Sequence, residues 1–155
     1  MMKDKIYRYD DAFKAKARAH QFAFRENILN DYYEEKNPQV ILSPNAARQG
    51  LIFFDTYRDL ILNKVKNFGT SALFSNMLRS EHIPFNIFVP MEEDLSNTRL
   101  LFSKIINTEI LNINHICIEF AGRSDRTMYL NDGTSFDAYV EYVDSNAQRG
   151  AIGIE

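Results

Sequence analysis

The sequence predicts an α/β protein in the α+β arrangement, with helices first and a three-stranded antiparallel meander after them. Three observations predict it. Apolar residues recur near the 3.6-residue period from Phe13 to Ile106. From Ile116 onward the pattern switches to the alternation of strands. Gly, Pro and Asn fall between the periodic stretches rather than within one long linker. With no repeat or low-complexity tract, the 155 residues are expected to form a single domain.

Each element has its own signal. In "DDAFKAKARAHQFAFRENILN", residues 10–30, Phe13, Ala17, Phe24 and Ile28 form an apolar stripe, and Asp10 or Asp11 suits the N-cap. "LSPNAARQG" reads as a short helical turn, capped by Ser43, with Pro44 at the first helical position and Gly50 at its end. A longer helix is expected from Ile52 to Phe68, through Phe53, Tyr57, Leu60, Ile61 and Val65, with Gly69 ending it. "SALFSNMLRS" follows as a shorter helix. "IPFNIFVP", bracketed by Pro84 and Pro90, is expected to be an edge strand or ordered loop. "DLSNTRLLFSKIINTEIL" returns to helix, with Ser96 or Asn97 near the cap and Leu100, Leu101, Ile105 and Ile106 inward.

The last third alternates. "INHICIEF" sets Ile116, Ile118 and Phe120 on one face and His115, Cys117 and Glu119 on the other. "FDAYVEYV" and "AIGIE" are the next strands, with Asp144, Ser145 and Asn146 as turn formers. A turn centred near Asn146 pairs Ala138 with Ile154, Tyr139 with Gly153, Val140 with Ile152, and Asp137 with Glu155. The even-numbered face, Phe136, Ala138, Val140, Tyr142, Ile152 and Ile154, is then the core face. Asp137, Tyr139, Glu141, Ala151, Gly153 and Glu155 share the other. Directly opposed β-carbons lie roughly 4.5–5.5 Å apart. Two carboxylates that close repel unless a cation sits between them. Mg²⁺ accepts one or two carboxylates plus waters and phosphate oxygens, so the pair suits a hard-metal site for phosphodiester chemistry. The alternative is an ordinary solvated strand face carrying two unrelated acids.

Composition narrows the remaining classes. Hydrophobic residues make up 45% of the chain, with 12 Phe and 8 Tyr, which is ample material for a core. A net charge of −3 provides no global field for nucleic acid, so any such binding rests on local patches or a metal. One cysteine excludes a disulfide framework, and with three scattered His there is no zinc-ligand spacing. The N-terminus lacks the apolar core of a signal peptide, and no run approaches the roughly 18 apolar residues of a bilayer span, so a cytoplasmic protein without membrane contact is expected.

"TSFDAYVEYVD…RGAIGIE" resembles the core of the PD-(D/E)xK nuclease superfamily, the restriction-endonuclease-like fold. Asp137 matches that family's strand Asp, and Glu155 closes the apolar strand "AIGIE" as its acid. The upstream "RSDRTMYLNDGTSFDA" is similar to a bacterial group of uncharacterised restriction-endonuclease-like proteins. The resemblance implies Mg²⁺- or Mn²⁺-dependent cleavage of DNA, with Asp137 and Glu155 as catalytic metal ligands and Glu26, on the first helix, as a third acid. Lys14, Arg18, Arg123, Arg126 and Arg149 are the candidate phosphate contacts. The family's Lys, two positions past the Glu, is not among these residues. The chain therefore reads as the N-terminal portion of an incomplete, truncated nuclease-like core. It is expected to be inactive or nearly so alone, with an exposed apolar surface that invites a homodimer. The rival reading is a non-catalytic remnant of the fold that binds DNA or a protein partner.

Overall fold

Asp11 caps the first helix: its carboxylate accepts from the Lys14 backbone N–H at 2.8 Å. That helix, α1 (Ala12–Asn27), opens a computed structural model of the chain that describes residues 9–32, 40–66, 71–120 and 135–155. By internal contacts the chain divides into two compact units, Met1–His82 and Ile83–Glu155.

In the first unit, α1 is rotated relative to the expected stripe. Phe13, Phe24 and Ile28 are exposed, whereas Arg25 is 2% exposed. Polar ties set this rotation. Arg25 Nη1 donates to the Ile41 carbonyl at 3.0 Å, and its guanidinium lies 5.4 Å from the centroid of the Phe22 ring. Asn30, at φ 50, turns the chain out of the helix, and the Asp31 carboxylate accepts from the Ser43 N–H at 2.7 Å. A long Arg side chain packs its stem like an apolar residue while its head finds acceptors.

Ser43 then caps α2 (Pro44–Arg48) through Ala46 N–H, with Pro44 in the first turn as expected. A 3₁₀ turn, Asp55–Tyr57, leads into α3 (Arg58–Val65). The helix expected from Ile52 therefore starts later, because the chain is still turning through Phe53; the expected end at Phe68 and Gly69 lies outside the described residues. After α4 (Ser71–Ser75), Leu42 N–H donates to the Ser75 carbonyl and Met77 N–H to the Val40 carbonyl. These bonds clamp a core of Val40, Leu42, Ala46 and Met77.

The segment expected to be extended is helical instead: α5 spans His82–Glu93. Pro84 falls in the first turn, where an N–H has no helical partner in any case, and Pro90 lies in the last turns. Phe85, Phe88 and Val89 are buried at the i, i+3, i+4 spacing of a helix.

Helix α6 (Leu95–Ile106) follows, capped by Asp94 rather than by Ser96 or Asn97. Its inward residues are Thr98 and Phe102; Leu100, Leu101 and Ile105 are exposed, contrary to the expected face. The three-residue link to β1 (Ile110–Phe120) decides this. Ser103 Oγ accepts from Ile110 N–H at 3.0 Å, and Arg99 Nη1 donates to the Ile110 carbonyl at 2.9 Å. The face bearing Arg99 and Ser103 must therefore meet the strand.

β1, β2 (Phe136–Asp144) and β3 (Arg149–Ile154) form an antiparallel sheet in the order β1-β2-β3, as the alternation predicts. Ile110, Ile113, Ile116 and Ile118 are buried. Their uneven spacing follows from two register irregularities, between Ile110 and Asn112 and between Ile113 and His115. The connection containing Arg123 and Arg126, and the side chain of Phe120, lie outside the described residues.

Candidate metal centre on the β2–β3 hairpin

The hairpin is set by Asp144. Its Oδ1 accepts from Asn146 N–H at 2.9 Å and Gln148 N–H at 2.8 Å, and its own N–H donates to the Gln148 carbonyl at 3.0 Å. Ala147 supplies the left-handed turn residue at φ 60. From this turn the ladder runs Val143–Arg149, Tyr142–Gly150, Glu141–Ala151, Val140–Ile152, Tyr139–Gly153 and Ala138–Ile154. This is the register that the turn centre predicts. The ladder stops there. Asp137 is the preceding residue of β2, Glu155 follows the end of β3, and both are exposed.

On the other side, Cys117 pairs with Tyr139, Ile118 with Ala138 and Phe120 with Phe136. Glu119 thus occupies the step of β1 level with Asp137, with its backbone in the left-handed region at φ 54. Neighbours in register share a face. Ala138 and Val140 are fully buried, and Ile152 and Ile154 are half-buried, which makes the even face the core face.

Phe136 departs from that alternation. It is 40% exposed, and its ring lies over Gly153: a β-carbon there would stand 2.7 Å from Phe136 Cε1. Gly153 is opposite Tyr139, so the ring sits on the polar face rather than the core face. The Phe136 and Tyr139 rings lie 26° from parallel with centroids 6.5 Å apart. Sequence reading missed this placement. The available signal was an edge-strand glycine, over which an aromatic ring is a recurrent cover.

The other candidates are spread out. Glu26, in the first unit, lies 3.8 Å from Arg25 Nη2. Lys14 is 3.5 Å from Asp11. Arg18 makes a two-pronged pair with Asp10, at 2.7 and 3.1 Å, and this hydrogen bonding holds the Asp10 carboxyl below its usual range. Arg149 is exposed at the turn end of β3. Among the described residues, no three His, Cys, Asp or Glu side chains are grouped to hold a metal ion. A two-carboxylate donor set still fits Mg²⁺, which keeps several waters and takes one or two carboxylates.

A family model described as the PD-(D/E)XK nuclease superfamily matches residues 8–155. No curated protein matches the chain, and no solved structure does.

Proposed function

We propose that this chain, which belongs to the PD-(D/E)XK nuclease superfamily, carries the acidic part of a Mg²⁺- or Mn²⁺-dependent centre for hydrolysing DNA phosphodiester bonds. The observation that carries this reading is the hairpin register, which ends one step short of bringing Asp137 opposite Glu155. In this reading the two carboxylates are the metal ligands. A bound ion supplies Lewis-acid activation of water and charge neutralisation at the phosphate. Arg149 is the phosphate contact on the same hairpin. Lys14 and Arg18, in the first unit, contribute only by exchanging their acidic neighbours for phosphate, and Glu26 there is the partner of Arg25. Arg123 and Arg126 complete the set of cations.

The family match runs through both compact units, which supports treating them as one nuclease-like domain. Among the described residues no helix is long and apolar enough to cross a membrane. A cytoplasmic setting belongs to the proposal.

A second reading, a nuclease-fold module that binds DNA or a protein partner without cleaving, is favoured by one observation. Among the described residues no three His, Cys, Asp or Glu side chains are grouped to hold a metal ion.

Calorimetric titration with Mn²⁺, beside cleavage assays on DNA, tests both. Wild-type protein is expected to release binding heat that Asp137→Asn and Glu155→Gln each abolish. Absence of heat from the wild type rejects the metal centre. Binding without any cleavage selects the module reading.

A further inference from the structure

The aromatic pair beside the acids has a chemistry of its own. Gly153 leaves a vacancy on the polar face of the edge strand, and the Phe136 ring fills it. The ring is thereby held against Gly153 of β3, with its Cδ1, Cε1 and Cζ atoms nearest, and Tyr139 flanks it nearly parallel. The residue nonetheless keeps 40% of its surface in solvent. It immediately precedes Asp137, and the glycine beneath it is two residues from Glu155. A flat ring held against a backbone has lost little further freedom when a second flat group lies on it.

We propose that Phe136, flanked by Tyr139, is a stacking platform for an unpaired nucleobase, so that this centre takes single-stranded or frayed nucleic acid in preference to closed duplex. The inference rests on the nuclease reading above and names its substrate class. A base inside a duplex has both π-faces occupied by its neighbours. Only an unstacked base can lie on a protein ring. Stacking also supplies attraction that does not depend on charge. That matters on a chain of net charge −3, beside two carboxylates that repel phosphate. Phe136 immediately precedes Asp137, so a stacked base would bring its own backbone phosphates toward that acid.

The test is metal-free binding by the 155-residue chain in EDTA, read by fluorescence anisotropy. The probes are a short labelled oligodeoxynucleotide, the same sequence as RNA, and a blunt two-strand duplex with G·C ends and no loop. Wild-type protein is expected to bind the single strands more tightly than the duplex, and the DNA and RNA arms identify which strand it prefers. Phe136→Ala is expected to weaken single-strand binding roughly 5- to 150-fold, the loss of one base–aromatic stack. Phe136→Leu, which keeps an apolar cover over Gly153, should weaken it nearly as much, and Phe136→Trp should retain it. Melting curves of each variant by circular dichroism show whether the fold survives. The proposal is overturned if duplex binds as tightly as single strand, if no probe binds the wild type, or if Phe136→Leu binds like wild type. It is also overturned if Phe136→Trp, folded, binds as poorly as Phe136→Ala. Because no ion is present and no bond is cut, a failed Mn²⁺ titration and a failed stacking test are separate results.

Discussion

The imidazole of His82 lies inside the first unit, with Nε2 2.6 Å from the Leu73 carbonyl and its ring edge-on to Phe53 at 6.0 Å. Burial pushes its pKa below the usual value, against the Leu73 carbonyl and the nearby Glu81 carboxylate, which favour the charged form; Arg79, which is paired with Glu81, works in the same direction as burial. A depressed histidine pKa means that the unfolded chain takes up the proton first as pH falls. The His82 contribution is therefore complete above the unfolded value of about 6.5 and is lost as pH drops from there through the folded value. The melting temperature of the chain is expected to fall between pH 7 and pH 5. His82→Gln should flatten that slope in parallel thermal melts, and an unchanged slope would rule out His82 as its source. Caps of this size were legible from sequence: Ser43 and Asp11 sit where short polar residues precede apolar periodicity. The buried positions of Arg25 and His82 were not, because a charged or titratable side chain goes inside only when distant carbonyls are waiting for it.

Among the elements, the β2–β3 hairpin was the most legible. A strand has period two, so one correctly placed turn determines every pair that follows. Asp144 is the residue that places it. Asp144→Ala removes the acceptor of two backbone N–H groups at a position 9% exposed, which is expected to cost about 1–3 kcal/mol. Urea denaturation measures this, and Asp144→Asn, which keeps a carbonyl oxygen, should recover part of the loss. The helices were legible in existence and misread in orientation. In α1 and α6 the apolar residues Phe13, Phe24, Leu100 and Leu101 are exposed, while Arg25 and Thr98 are buried. Helical periodicity identifies a stripe, but rotation about the axis is set by ties at the ends, such as Arg99 and Ser103 to Ile110. In α5 the prolines were read as strand punctuation, although a first-turn proline is compatible with a helix.

At the scale of the whole molecule, charge constrains how nucleic acid is held. With two of the five candidate phosphate contacts, Lys14 and Arg18, beside Asp11 and Asp10, few phosphates are expected to be neutralised. Each phosphate neutralised on a single strand contributes about −0.7 to the slope of log K against log salt. The slope for single-strand binding is accordingly expected to be no steeper than about −3. A steeper value in an anisotropy titration from low to high salt would show an electrostatic surface that these residues do not supply. The order of helices and meander and the hairpin register were readable from the residues alone. These follow from local periodicity and turn chemistry, which need only neighbours along the chain. Tertiary structure alone decided which helix faces are buried, that residues 82–93 are helical, and that the Phe136 ring crosses to the polar face over Gly153. Those outcomes depend on carbonyls, backbone gaps and partner strands many residues away, which the local patterns in α5 and at Gly153 signal only in part.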